Sequence, residues 1–243
     1  VLNSGISKLM SELDMTNTVT GSTDQNVELD SISYTSTLGE RSTFFFGSKN
    51  IGGGSLYNVA CAYGSQTDTF SDCGVSAANL EEEFGTAFGA SFDFGNGFAA
   101  AVGYEGQGMT TKGILTDAGT DAYGGNLSYT GDSYGVSISW ANVENHADVT
   151  NAIAAGATQS TGVNAYYTPD LENFPSISVG FETNHDDSVT TTNNDATSHY
   201  FVGFQWDDLG NGTLGAAFGS KQPYAENADA LTMYEVFYSY NYA

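Results

Sequence analysis

Positive charge is what this sequence has least of. Five basic residues, Lys8, Arg41, Lys49, Lys112 and Lys221, stand against 29 acidic ones, for a net charge of −24. Nucleic-acid binding needs a basic footprint to release phosphate counterions, and none is available. A basic stripe for anionic lipid headgroups is missing too. No run of about 18 apolar residues occurs, which excludes a helical membrane span. It does not exclude a membrane β-barrel, whose strands turn only every second residue toward lipid. Metal and redox chemistry has little to work with: two cysteines and three histidines, His146, His185 and His199, scattered along the chain. No glycine loop with a P-loop lysine appears. Gly131-Asp132-Ser133-Tyr134-Gly135 spells G-x-S-x-G, but a nucleophile elbow joins a strand to a helix, and this motif falls between two alternating stretches. No convergent catalytic set emerges, and an enzyme is not expected.

What is present is turn chemistry and alternation. Thirty glycines, 13% aromatics and only three prolines suit an all-β chain. Short connections at 94–97, 130–133, 169–174 and 207–212 alternate with longer polar spans at roughly 106–120, 143–161, 184–196 and 220–229. Short turns at one end and long loops at the other are what an outer-membrane barrel shows, because its two rims face different compartments.

The stretches between the turns keep a period of two. Phe88, Ala90, Phe92 and Phe94 share one face against Gly89, Ser91 and Asp93; Tyr134, Val136, Ile138 and Trp140 oppose Ser137 and Ser139. The same pattern continues through Val163, Phe181, Phe204, Phe218 and Val236, so these are half-buried strands. The other face is Gly, Ser and Asn, too small and polar for a dry core and suited to a water-filled lumen. Parity alone also admits a soluble sandwich with the apolar face inward. Aromatics at the turn end (Phe94, Phe98, Tyr129, Tyr134, Tyr167, Phe174, Trp206, Tyr240) form the girdle expected at a lipid–water boundary. The expected fold is an all-β, transmembrane, antiparallel up-and-down barrel of porin type. About eleven strands fall in 27–243, after a leading segment 1–26 of uncertain structure. The opening on Val1 without a leader reads as a removed signal segment or an internal fragment; an odd count and an end at Ala243 where a turn is due favour a fragment whose last strands are missing.

Cys61 and Cys73, 12 positions apart, have no further ligands for zinc; in an exported chain they read as a disulfide worth about 3 kcal/mol, in a reducing compartment as two thiols. The long connection 50–85 around them has two readings, a segment folded into the lumen or an outer loop. Parity turns Asp93, Glu105, Glu182 and Glu235 inward, making them pore-lining candidates that bias the channel toward cations. The acidic field favours Ca²⁺, Mg²⁺ or cationic solutes, or simply keeps the loops solvated. Glu81-Glu82-Glu83 reads as a solvated acidic patch before a Ca²⁺ site or a vestibule lining, and His185-Asp186-Asp187 reads as exposed loop before metal site. No tightly held cofactor is expected, only loosely bound Ca²⁺ on acidic loops.

Particular segments carry a resemblance. Ala60-Cys61-Ala62-Tyr63-Gly64 through Ser71-Asp72-Cys73-Gly74 resembles the cysteine loop of major outer-membrane porins of marine cyanobacteria. So do residues 91–98, Tyr166-Tyr167-Thr168-Pro169 with Phe174-Pro175-Ser176, and the tail 200–207, 225–229 and 233–240. The resemblance spans most of 27–243 and lies in order and spacing. It implies a barrel in the cell outer membrane, in contact with outer-membrane lipid, trimeric, passing ions and small solutes. The family's N-terminal S-layer-homology domain, which grips the cell wall, and its closing strands have no counterpart in this sequence, so wall anchoring is not carried over. The competing expectation is a secreted or surface structural β-protein that assembles through its apolar faces with Ca²⁺ on its loops.

Overall fold

The computed structural model describes residues 8–16, 26–48, 51–81, 85–106, 114–115, 120–145, 156–187, 196–221, 223–225 and 228–240. Thirteen strands form one antiparallel sheet. In chain order they are β1 (Lys8–Thr16), β2 (Asn26–Leu38), β3 (Ser42–Ser48), β4 (Thr86–Gly95), β5 (Phe98–Gly106), β6 (Asp121–Thr130) and β7 (Tyr134–Asn145). β8 (Gly156–Tyr167), β9 (Ser176–Asp186), β10 (Ala196–Trp206), β11 (Gly212–Ser220), the two-residue β12 (Tyr224–Ala225) and β13 (Thr232–Tyr240) follow. Each long strand pairs with its sequence neighbour, in the order β1 to β11 and then β13, while β12 pairs onto β10. Among the described residues no ladder joins β13 to β1, so the order is an open path.

Eleven long strands follow Asn26, as the alternation predicts. Residues 8–16, left unassigned by sequence, add β1, which pairs with β2 from Lys8↔Thr35 to Thr16↔Asn26. Three loop boundaries differ from expectation. β7 runs to Asn145 and β8 starts at Gly156, so the span expected over 143–161 shrinks to 146–155; β9 likewise continues to Asp186. The reason is that the outward positions there, Gln159, Thr161 and Thr183, are polar and exposed. The hydrogen-bond ladder continues past the apolar band, and hydrophobic alternation no longer marks it.

Burial decides which face is which. On β7, Ser137 and Ser139 are each 1% exposed, whereas Ile138 and Trp140 are 48% and 40% exposed. This inverts a soluble sandwich. The outward apolar residues line up across strands through Ala100↔Leu127, Leu127↔Ile138, Ile138↔Val163 and Val163↔Phe181. A continuous exposed apolar band across five strands is what water-exposed monomers avoid. Toward lipid it costs nothing. The ten residues of β6 rise about 34 Å, or about 24 Å at 45° tilt, which matches the ~25 Å apolar band of membrane barrels. At the short-turn rim the rings of Phe98, Tyr129 and Tyr134 follow one another at 4.8 and 5.5 Å, forming part of the expected aromatic girdle. The fold is an antiparallel up-and-down β-barrel wall of porin type, apolar outside and polar inside.

Candidate functional site: a loop laid on the polar wall

Between β3 and β4, residues 51–81 turn inward and lie on the Gly/Ser/Asn face. From Asn58 onward the chain gives every second backbone N–H to an inward side chain of a different strand. Asn58 donates to Asn126 Oδ1 on β6 (3.2 Å), Ala60 to Ser137 Oγ on β7 (2.9 Å) and Ala62 to Ser178 Oγ on β9 (2.9 Å). Gly64 donates to Gln205 Oε1 on β10 (2.8 Å), and Gln66 to the Glu235 carboxylate on β13 (3.3 Å). Eight residues of extended chain cover about 26 Å, close to the ~29 Å of the six strand spacings from β6 to β13. The segment thus crosses the strands on the concave side, and its side-chain partners supply what a neighbouring strand would otherwise provide.

The chain then reverses through a 3-10 stretch, Asp68–Gly74, kinked at Ser71–Cys73. Asp72, Cys73 and Gly74 take φ of 44°, 54° and 73° in succession. A left-handed backbone costs a non-glycine residue roughly 1–2 kcal/mol, so this reversal must be held by its surroundings. Cys73 is joined to Cys61 with a Cα–Cα distance of 5.8 Å, and Asn164 Nδ2 on β8 donates to the Asp72 carbonyl at 2.7 Å. The disulfide therefore staples the outgoing arm to the returning one. On the return, Ala78 N–H reaches Glu182 Oε2 at 2.9 Å, and Gly54 N–H reaches the Leu80 carbonyl at 3.2 Å, closing the loop on itself.

Two dry contacts seal it to the wall. Tyr63, Phe70 and Cys73 pack on Phe201 and Ala217, with Phe237 beside them; Leu80 packs on Ala122, Ala141 and Val143. Space for these approaches comes from inward glycines. A Cβ on Gly180 would sit 1.8 Å from the Cys73 carbonyl oxygen, and one on Gly103 2.0 Å from that of Gly53. Much of the small-residue face read from sequence as water-lined is instead the seat of this loop.

The four inward acids meet different fates. Glu105 (0% exposed) accepts the Gly53 N–H at 2.6 Å, and Glu182 (1%) holds Ala78. Glu235 (7%) accepts both the Tyr63 phenol (2.8 Å) and Gln66 N–H. All three point inward as parity requires, but they lie beneath the loop as anchors rather than facing open water. Burial raises the Tyr63 phenol above its ordinary value, reinforced by Glu235, and burial followed by the Glu105 charge does the same for Tyr57. Both phenols stay protonated. Asp93 is exposed, at the short-turn end of β4, and its carboxylate accepts the Gly95 N–H at 2.7 Å. There a cavity of ≈ 480 Å³ remains between the loop, at Leu56 and Asn58, and the wall at Thr43, Ser91 and Asn126. Glu40, Arg41 and Asp93 are its charged lining.

Other sequence candidates stay apart. His185 Nε2 meets Asp187 at 3.1 Å on the long-loop rim, half exposed, and His199 lies on β10 with Nε2 2.8 Å from the Ser220 carbonyl. Among the described residues no group of three or more His, Cys, Asp or Glu could hold a metal ion. Gly131 donates to the Tyr134 carbonyl at 2.8 Å, which makes the G-x-S-x-G stretch a hairpin turn. Glu81 is exposed; Glu82, Glu83 and His146 lie outside the described residues. Sequence reading missed Asn58, Gln66, Ser137, Ser178 and Gln205 as loop anchors. The available signal was the alternation of 57–66 itself, a strand-like stretch with no strand to pair with.

Neither a family model nor a curated protein matches the chain. Among solved structures it is similar to the outer membrane channel DcaP of Acinetobacter baumannii, with a TM-score of 0.47 and 10% identity over 96% of this chain and 68% of that one. At that level the likeness transfers no residue and no activity. The class follows from the molecule's own inversion of burial: a membrane β-barrel wall carrying an inward, disulfide-stapled loop.

Proposed function

We propose that this protein is a passive diffusion channel of an outer membrane, admitting ions and small hydrophilic solutes with a preference for cations. The observation that carries it is the inverted burial: hydroxyls and amides buried inside, aliphatic and aromatic side chains in a continuous hoop outside. A wall of that kind is stable only with lipid around it, and the inward loop narrows what it encloses. The net charge of −24 supports the cation preference. The segments quoted from the cysteine loop and the tail support a place among the major outer-membrane porins of marine cyanobacteria. A homotrimer follows from that resemblance. Loosely bound Ca²⁺ on acidic loops is compatible with the same charge.

The test is single-channel recording in a planar bilayer under a KCl gradient. Stepwise openings, grouped in threes for a trimer, with a reversal potential toward that of K⁺ are expected. Folded, inserted protein that passes no current overturns the reading.

A further inference from the structure

We propose that the permeation path runs between the edge of the loop and the β3–β6 wall, and that Asp93 and Arg41 at its mouth set its ion selectivity; this rests on the channel reading above. The loop closes the other side. Ser137 and Ser139 on β7, Ser160 on β8 and Ser178 on β9 are each at most 1% exposed, so no water-filled route passes over this part of the wall. Among the described residues, open space remains in the cavity bordered by Leu56 and Asn58 on the loop and by Thr43, Ser91 and Asn126 on the wall.

The three inward glutamates are poorly placed to act on passing ions. Each gives its carboxylate to loop amides or the Tyr63 phenol, and the loop backbone lies between it and open solvent. Asp93 and Arg41 are placed differently. β3 pairs with β4 through Thr43↔Ser91 and Ser42↔Phe92, so Arg41 and Asp93 fall next to each other at the following step. Asp93 N–H donates to the Arg41 carbonyl at 2.8 Å, and Arg41 Nη1 reaches the Phe94 carbonyl at 3.4 Å. Both share the inward parity of Thr43 and Ser91, both are exposed, and both line the cavity. A carboxylate and a guanidinium thus sit side by side at the short-turn mouth. The guanidinium keeps its charge at any working pH. The acid attracts entering cations, while the arginine opposes them and holds anions.

Two neighbours of opposite sign give a diagnostic that a merely structural effect cannot imitate. In bilayers under a KCl gradient, Asp93→Asn should lower the K⁺/Cl⁻ permeability ratio and Arg41→Gln should raise it. Each change is expected at about two- to five-fold, the Boltzmann factor of one charge acting over several ångströms of water. Glu182→Gln should keep the parent's reversal potential even where its conductance changes. As a second readout, Ser91→Cys should react with a charged methanethiosulfonate, and Ser139→Cys, under the loop, should not. A conducting parent whose D93N and R41Q variants shift together, or not at all, overturns the assignment alone. Labelling of S139C with S91C protected overturns the path. A folded, inserted parent that passes no current overturns the channel reading and this inference with it.

Discussion

Ala62 gives its backbone N–H to the Ser178 hydroxyl oxygen at 2.9 Å, across 116 residues of chain. One small side chain on β9 thereby replaces the carbonyl that a neighbouring strand would offer. The same exchange recurs at Ser137, Gln205 and Asn126. It explains why the inner face is rich in hydroxyls and amides: a buried N–H left without an acceptor costs about 1–3 kcal/mol. The loop is integral to the wall on which it lies.

Ile138→Arg should destabilise the folded barrel by about 2–4 kcal/mol, the cost of a cationic side chain on a lipid face near the midplane. Urea unfolding in lipid vesicles measures it. A soluble sandwich would instead be insensitive to charge at a half-exposed position, so an effect near zero argues against the membrane wall.

Gly180→Ala places a methyl 1.8 Å from the Cys73 carbonyl oxygen, a backbone atom that cannot rotate away. The loop should lift, at about 1–3 kcal/mol for overpacking. Faster amide hydrogen exchange at Ala62 and Ala78, with the β6–β9 ladders unchanged, is the expected pattern.

Replacing Cys61 and Cys73 together by alanine removes the staple between the loop's two arms. By the loop-entropy estimate this costs about 3 kcal/mol, felt mainly in the loop. Limited proteolysis should cut between residues 64 and 72 in the variant while the wall stays resistant. Equal resistance in both proteins would show that the carboxylate and hydroxyl anchors suffice.

Acidity should tighten the reversal. Burial raises the Asp72 carboxyl above its ordinary 3.8, with hydrogen bonds to Glu81 and Asn79 opposing the shift only in part. A raised acid favours the fold when protonated. Its contribution is therefore complete below the unfolded value and is lost as pH rises through the folded one. Protection of the Val75 and Asn79 amides, taken as exchange relative to the intrinsic rate at each pH, should fall across that window as pH rises. Asp72→Asn should flatten the dependence.

Much of the fold was legible in sequence. Turn residues such as Gly95-Asn96-Gly97 and the alternation Tyr134-Val136-Ile138-Trp140 are local properties, so the eleven long strands after β1, the end that carries the short turns and face parity followed from them, while β1 did not. The strands' outer ends were not legible, because Gln159 and Thr161 stand beyond the apolar band and leave no period to read. The disulfide was an expectation from composition and compartment, and the geometry of Cys61 and Cys73 supplied it. Of the four acids, inward direction was readable and role was not.

Parity is unchanged if inside and outside are exchanged: Ser137 and Ile138 alternate equally well in a sandwich and in a barrel. Local chemistry therefore determined that the chain has two unlike faces. Only the tertiary structure decided which face is enclosed, because enclosure depends on contacts such as Ala62–Ser178 and Tyr63–Glu235, made between residues more than a hundred positions apart. The same contacts placed residues 51–81 of the β3–β4 connection inside, where carboxylates that sequence assigned to the pore became the anchors of the loop.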